Sequence, residues 1–95
     1  LTNTLPNSEK FGLVPQINRC SVSIPANIAE GSAKFSQKDF VRFLQISLGS
    51  SYELETHLIL CEDLNFTNSE MASLTIKKVQ NLQKRISSLI KYNKT

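Results

Sequence analysis

The sequence predicts an all-α fold, an antiparallel up-and-down bundle of long helices. Hydrophobic residues recur with helical rather than strand periodicity over three stretches of roughly 22–26 residues. The connections between them are short and carry residues that cap helices, which makes sequential helices antiparallel neighbours. Glycine is scarce (three) and tryptophan absent, against a turn-rich β fold. The 95 residues, 40% hydrophobic and 20% charged, are read as one helical-bundle domain spanning 1–95. A chain of this size buries about 60–70% of its unfolded surface, so its core is modest and oligomerisation would help.

Leu1 to Asn7 reads as the tail of something that began earlier, since Leu5-Pro6 halts a helix. The first helix is expected from about Ser8 to Glu30, with Ser8 as cap, Glu9 in the first turn and Gly31 as the residue past its end. Pro15 allows the beginning to be a separate turn that bends into the main helix near Gln16. Pro25 lies inside the helix, where proline removes a hydrogen bond and costs roughly 3 kcal/mol without compensation. At 100° per residue the segment divides into three stripes. Leu13, Ile17, Cys20, Ile24 and Ile28 are apolar. Gln16, Arg19, Ser23, Asn27 and Glu30 are polar. Val22, Pro25, Ala26 and Ala29 are mostly small and admit another backbone closely. Three faces predict a helix central to a bundle or an assembly.

Ser36 opens the second helix, with Asp39 three positions on as an approximate capping box. Phe40, Phe43, Leu44, Leu54, Leu58 and Cys61 share one face, with Ser47 and Ser51 in its middle. Gly49 costs about 1 kcal/mol in a helix interior, and close packing against Ala26 and Ala29 is the expected compensation. Thr67 with Glu70 reads as the next capping box, and the last helix as about Ser69 to Tyr92. Ile76, Val79, Leu82, Ile86, Leu89, Ile90 and Tyr92 or Asn93 mark its inward side.

The net charge of +3 hides an asymmetry. Residues 1–70 hold five Lys/Arg against eight Asp/Glu, net −3, whereas residues 71–95 hold six Lys/Arg and no acid, net +6. Lys77, Lys84 and Lys91 repeat every seven residues along the last helix, flanked by Lys78 and Arg85. An exposed lysine face is ordinarily a solvated one, but such an asymmetry is also the mark of an anionic partner. With no aromatic residues interleaved, binding would read phosphate and shape rather than bases.

Other chemistry finds little support. His57 has Glu53 one turn before it and two distant cysteines as further ligand candidates, without a recognisable metal spacing, so no metal or other cofactor is expected. Glu53 and Glu55 point different ways on a helix and make a poor catalytic pair. There is no plausible Ser-His-Asp set and no phosphate-binding loop, and no enzyme is expected. Arg19 is expected to pair with Glu53 or Glu55 while Asn27 bonds a neighbouring backbone, which makes the polar stripe a structural or interface element. Cys20 and Cys61 read as buried, reduced thiols. The polar start is no signal peptide and no apolar run approaches the roughly 20 residues of a membrane span, which points to the cytoplasm and to no membrane partner.

The residues also carry a family resemblance over 5–58: Pro6 and Glu9, Gly12-Leu13, Gln16 and Arg19, Ser23-Ile24-Pro25, Asn27-Ile28-Ala29-Glu30-Gly31, Phe40 and Phe43, and Gly49-Ser50 with Glu53-Leu54-Glu55. Their order resembles the bacterial four-helix-bundle proteins encoded in intervening sequences of 23S rRNA genes, with the accessory proteins of diversity-generating retroelements as relatives. The resemblance implies a four-helix bundle whose first helix precedes Leu1, and a homopentameric ring. It implies no enzymatic activity, and as partners a structured RNA, an RNA–protein complex or, as a scaffold, a reverse transcriptase. Asn18 and Cys20 depart from the basic residue and alanine usual there.

Overall fold

The computed structural model describes residues 5–9 and 12–94, and the expected leading tail at 1–4 lies outside them. A short 3-10 turn, Asn7–Glu9, precedes three helices: α1 (Leu13–Ser32), α2 (Gln37–Asp63) and α3 (Ser69–Lys94). There is no strand among the described residues. α2 is the middle element, with α1 and α3 each packed along it and scarcely touching one another. The result is a slab of 44 × 23 × 14 Å rather than a closed bundle.

α1 starts later than the caps in the sequence imply. Ser8 belongs to the 3-10 turn, and Gly12 stands at the N-cap without a side-chain bond. The Glu9 carboxylate takes over, accepting from the Leu13 amide at 3.2 Å. Pro15 falls in the first turn, where a missing N–H is harmless. Pro25 remains helical, and the carbonyl its N–H would have served belongs to Ser21, an exposed residue that water can reach.

Gly31 is a correction. It is not past the helix end but buried within it, and the chain continues to Ser32 with Ala33 as C-cap. A Cβ there would meet Phe43 Cβ at 2.7 Å and Phe40 Cδ1 at 3.0 Å. The glycine therefore serves close packing at the α1–α2 corner, not a left-handed turn. The expected partnership of Gly49 with Ala26 and Ala29 is absent: all three are exposed, and nothing lies within 4 Å of a Cβ at Gly49. The close approach is made one stripe over, where Ser47 Oγ donates to the Ile24 carbonyl at 2.9 Å.

Ser36 caps α2 as expected, accepting from Asp39 N at 3.0 Å. The other end closes with Asn65 in the left-handed region (φ 57°). Phe66 N donates to Cys61 O and Asn65 N to Glu62 O, a Schellman pattern that turns Phe66 back onto the core. α3 is capped by Asn68 rather than Thr67: Asn68 Oδ1 accepts from the amides of Glu70 (2.8 Å) and Met71 (3.1 Å). The core joins Ile17, Cys20 and Ile24 with Val41, Leu44, Leu54, Leu58 and Cys61, and with Val79, Ile86 and Ile90. Phe40 and Phe43 are only partly buried, Val41 taking the deeper position. Leu89, expected inside, is exposed, and of Tyr92 and Asn93 it is Asn93 that is half-buried, while Ala72 and Gln83 are buried instead. The buried side of α3 is thus rotated away from the expected seam.

Candidate nucleic-acid interface and the polar seam beside it

The basic residues of α3 stand in the open. Lys77, Lys78, Lys84, Arg85 and Lys91 are all exposed, and none forms an ion pair among the described residues. The seven-residue repeat keeps Lys77, Lys84 and Lys91 on one stripe, with Lys78 and Arg85 about 100° further round. Lys91 and Lys94 also lie in the last helical turn, where cations complement the helix dipole. Lys84 and Arg85 border an open groove between α1 and α3 whose floor is Ile28, Leu82, Ile86 and Leu89, with Tyr92 on its rim. Lys84 and Lys91 border a second hollow with Tyr52, Gln80 and Gln83.

Two tyrosines are thus part of this surface, Tyr52 at 51% and Tyr92 at 75% exposure. Sequence reasoning offers Tyr92 or Asn93 for the inward side, of which Asn93 is the half-buried one, and leaves Tyr52 unassigned. The available signal was that, at 100° per residue, Tyr92 lies 80° from Lys84 and only 20° from Arg85, which stands between Tyr92 and the core stripe. Base faces stack on exposed aromatic rings.

The polar stripe of α1 divides. Gln16, Arg19, Ser23 and Asn27 build a seam to α2, whereas the Glu30 side chain is exposed and pairs with Lys34 one turn on, at 3.9 Å. Pro25 lies on the opposite, exposed side. Arg19 donates to Gln16 Oε1 at 2.8 Å and pairs with Glu53. The Arg19 guanidinium holds the Glu53 carboxyl below the usual carboxylate range. Asn27 donates to the carbonyl and hydroxyl of Ser23, within its own helix, and Ser23 shares a hydroxyl hydrogen bond of 2.8 Å with Ser50. Glu55 turns the other way. It accepts from Gln83 and Gln80, both at 2.9 Å, and these bonds hold its carboxyl low as well. The two carboxylates face different helices, as their spacing requires.

At the lower end of the seam Cys20, Glu53 and His57 come together, with one potential ligand atom from each within 4.8 Å of the others. Burial pushes the Cys20 thiol up, with Glu53 adding to the shift and Arg19 opposing it. Burial likewise raises Cys61, which sits apart from this cluster. Both cysteines are free and buried. No helix among the described residues is long and apolar enough to cross a membrane.

A search of curated proteins gave no match. The family model described as 23S rRNA-intervening sequence protein matches residues 1–88, nearly the whole chain, and with all three helices inside that span or running out of it, the chain belongs to the 23S rRNA-intervening sequence protein family.

Proposed function

We propose that this protein is a non-enzymatic nucleic-acid-binding protein that engages structured RNA through the exposed face of α3. The observation that carries the reading is the set of five exposed cations, Lys77, Lys78, Lys84, Arg85 and Lys91, without ion pairs among the described residues and on a helix segment without acids after Glu70. Tyr52 and Tyr92 beside Lys84 and Lys91 add stacking platforms to a phosphate-binding surface. The apolar floor between α1 and α3 fits a four-helix bundle, in which a further helix would cover Ile28, Ile86 and Leu89. Assembly of such bundles into a homopentameric ring would repeat the basic face and multiply its effect.

The test is fluorescence anisotropy with a structured RNA across a salt series. Each neutralised phosphate adds about 0.7–0.9 to the slope of log affinity against log salt. A slope of several units, lost in the triple variant Lys77→Glu, Lys84→Glu, Lys91→Glu with assembly intact, supports the reading. Unchanged binding by that variant refutes it.

A second reading has its own observation. Ile46, Tyr52, Ile59, Leu60 and Leu64 are 40–53% exposed along the outer side of α2. Such a row is suited to contact with protein, either another copy or a partner such as a reverse transcriptase, with the chain as a scaffold. Substituting Ile46 and Leu60 by Lys would then abolish assembly or partner capture while leaving RNA affinity unchanged.

A further inference from the structure

We propose that Cys20, Glu53 and His57 form a binding site for a zinc-class divalent cation, clipping α1 to α2. The cluster offers sulfur, carboxylate oxygen and imidazole nitrogen, the donor types zinc uses, whereas calcium and magnesium prefer oxygen alone. Glu53 and His57 are one turn apart on α2 and Cys20 faces them from α1. Three atoms no more than 4.8 Å apart enclose a point within about 2.8 Å of each. Zinc bonds are about 2.0–2.3 Å, so side-chain adjustments of roughly 0.5–0.8 Å bring all three into range.

His57 supplies an independent argument. Both of its ring nitrogens are shut off from solvent, and neither makes a hydrogen bond among the described residues. Glu53 Oε2 lies 3.6 Å from Nε2, beyond hydrogen-bond length. A buried imidazole without hydrogen bonds costs free energy that a coordinated cation would recover. Arg19 and Gln16 complete the outer shell: Arg19 fixes the Glu53 carboxylate from the solvent side and is itself held by Gln16. The carboxylate remains 43% exposed, which gives an ion a way in. Coordination displaces the thiol proton of Cys20 to solvent, and three protein ligands leave a fourth position for water or a donor from a partner.

Cobalt(II) and zinc titrations of the reduced full-length chain test this site. One equivalent of cobalt should produce a thiolate-to-cobalt charge-transfer band that excess zinc abolishes, and zinc should raise the melting temperature. Cys20→Ser should remove the band, Cys61→Ser should keep it, and His57→Gln should weaken zinc binding at least about tenfold, as loss of even an outer partner of a ligand does. The His57 ring makes no hydrogen bond among the described residues, so His57→Gln keeps the test informative if Cys20→Ser fails to fold. Absence of the band in the parent chain, its survival in Cys20→Ser, or zinc affinity unchanged in His57→Gln overturns the proposal.

Discussion

A methyl group added at Gly31 and one added at Gly49 should move stability in opposite directions. At Gly31 the new Cβ would lie 2.7 Å from Phe43 Cβ, 3.0 Å from Phe40 Cδ1 and 3.4 Å from the Phe40 carbonyl. Carbon atoms pack best at about 3.5–4.0 Å. The closest of these atoms is a Cβ, fixed to the α2 backbone, so no rotamer change relieves the contact. The α1–α2 corner must open instead, and overpacking of this kind costs roughly 1–3 kcal/mol. The helical preference for alanine returns about 1 kcal/mol. Because the clash is tied to backbone, the upper part of the range applies and Gly31→Ala should lose about 1–2 kcal/mol. Gly49 is also inside a helix, but exposed, with nothing within 4 Å of the added atom. Only the propensity gain operates there, so Gly49→Ala should gain up to about 1 kcal/mol. Thermal unfolding followed by circular dichroism, at matched protein concentration, reads both. At roughly 4–8 °C per kcal/mol for a domain of this size, Gly31→Ala should melt about 5–15 °C lower and Gly49→Ala a few degrees higher. A Gly31→Ala protein as stable as its parent, or a destabilised Gly49→Ala, would refute the packing argument.

Ser47 is wholly buried and donates to the Ile24 carbonyl. Ser47→Ala should therefore cost about 1 kcal/mol in urea unfolding, and Ser47→Val should cost more through overpacking. Asn68→Ala removes the α3 cap and should cost about 1 kcal/mol, against a smaller loss for Thr67→Ala, measured in the same way. Gln83→Leu removes the hydrogen bond that does most to hold the Glu55 carboxyl low. Those bonds hold the folded-state carboxyl below its unfolded value, so their stabilisation is present above that value and is lost as pH falls. The variant should accordingly lose less stability than the parent as pH falls below the ordinary glutamate value of about 4.3.

The helices themselves were legible because periodicity reports burial directly. Ile17, Cys20 and Ile24 are buried as their spacing implies, and Ser36 caps α2. Arg19 finds Glu53, one of the two carboxylates it was expected to reach. What failed depends on where a second helix lies. Gly31 carries the turn signature of a helix end, yet only the position of Phe40 and Phe43 explains it. Tyr92 continues the apolar spacing of α3, but the seam with α2 is rotated toward Ala72 and Gln83, leaving the ring outside. Cys20 and His57 meet because α1 and α2 pack in one particular register. A helical wheel gives the face of each residue and says nothing of the height at which the neighbouring helix presents its own.

That register has a visible cause. Along α2, Ser47, Ser50 and Glu53 ascend while their α1 partners Ile24, Ser23 and Arg19 descend, as antiparallel helices require. On the other flank Ser51 and Glu55 ascend against Gln83 and Gln80. A slip of one helical turn, about 5.4 Å, would break every one of these bonds. Leucine, isoleucine and valine in the same core would exchange one set of neighbours for another at modest cost. Buried polar groups do not tolerate such exchange, because an unpaired one loses the full cost of its dehydration. The fully buried side chains of this small core include Ser47, Ser51, Cys20 and Cys61 as well as Leu44 and Leu58. The leucines supply driving force in any register. Ser47, bonded to Ile24, and the Ser23–Ser50 pair favour one, and it is in that register that Cys20 faces Glu53 and His57.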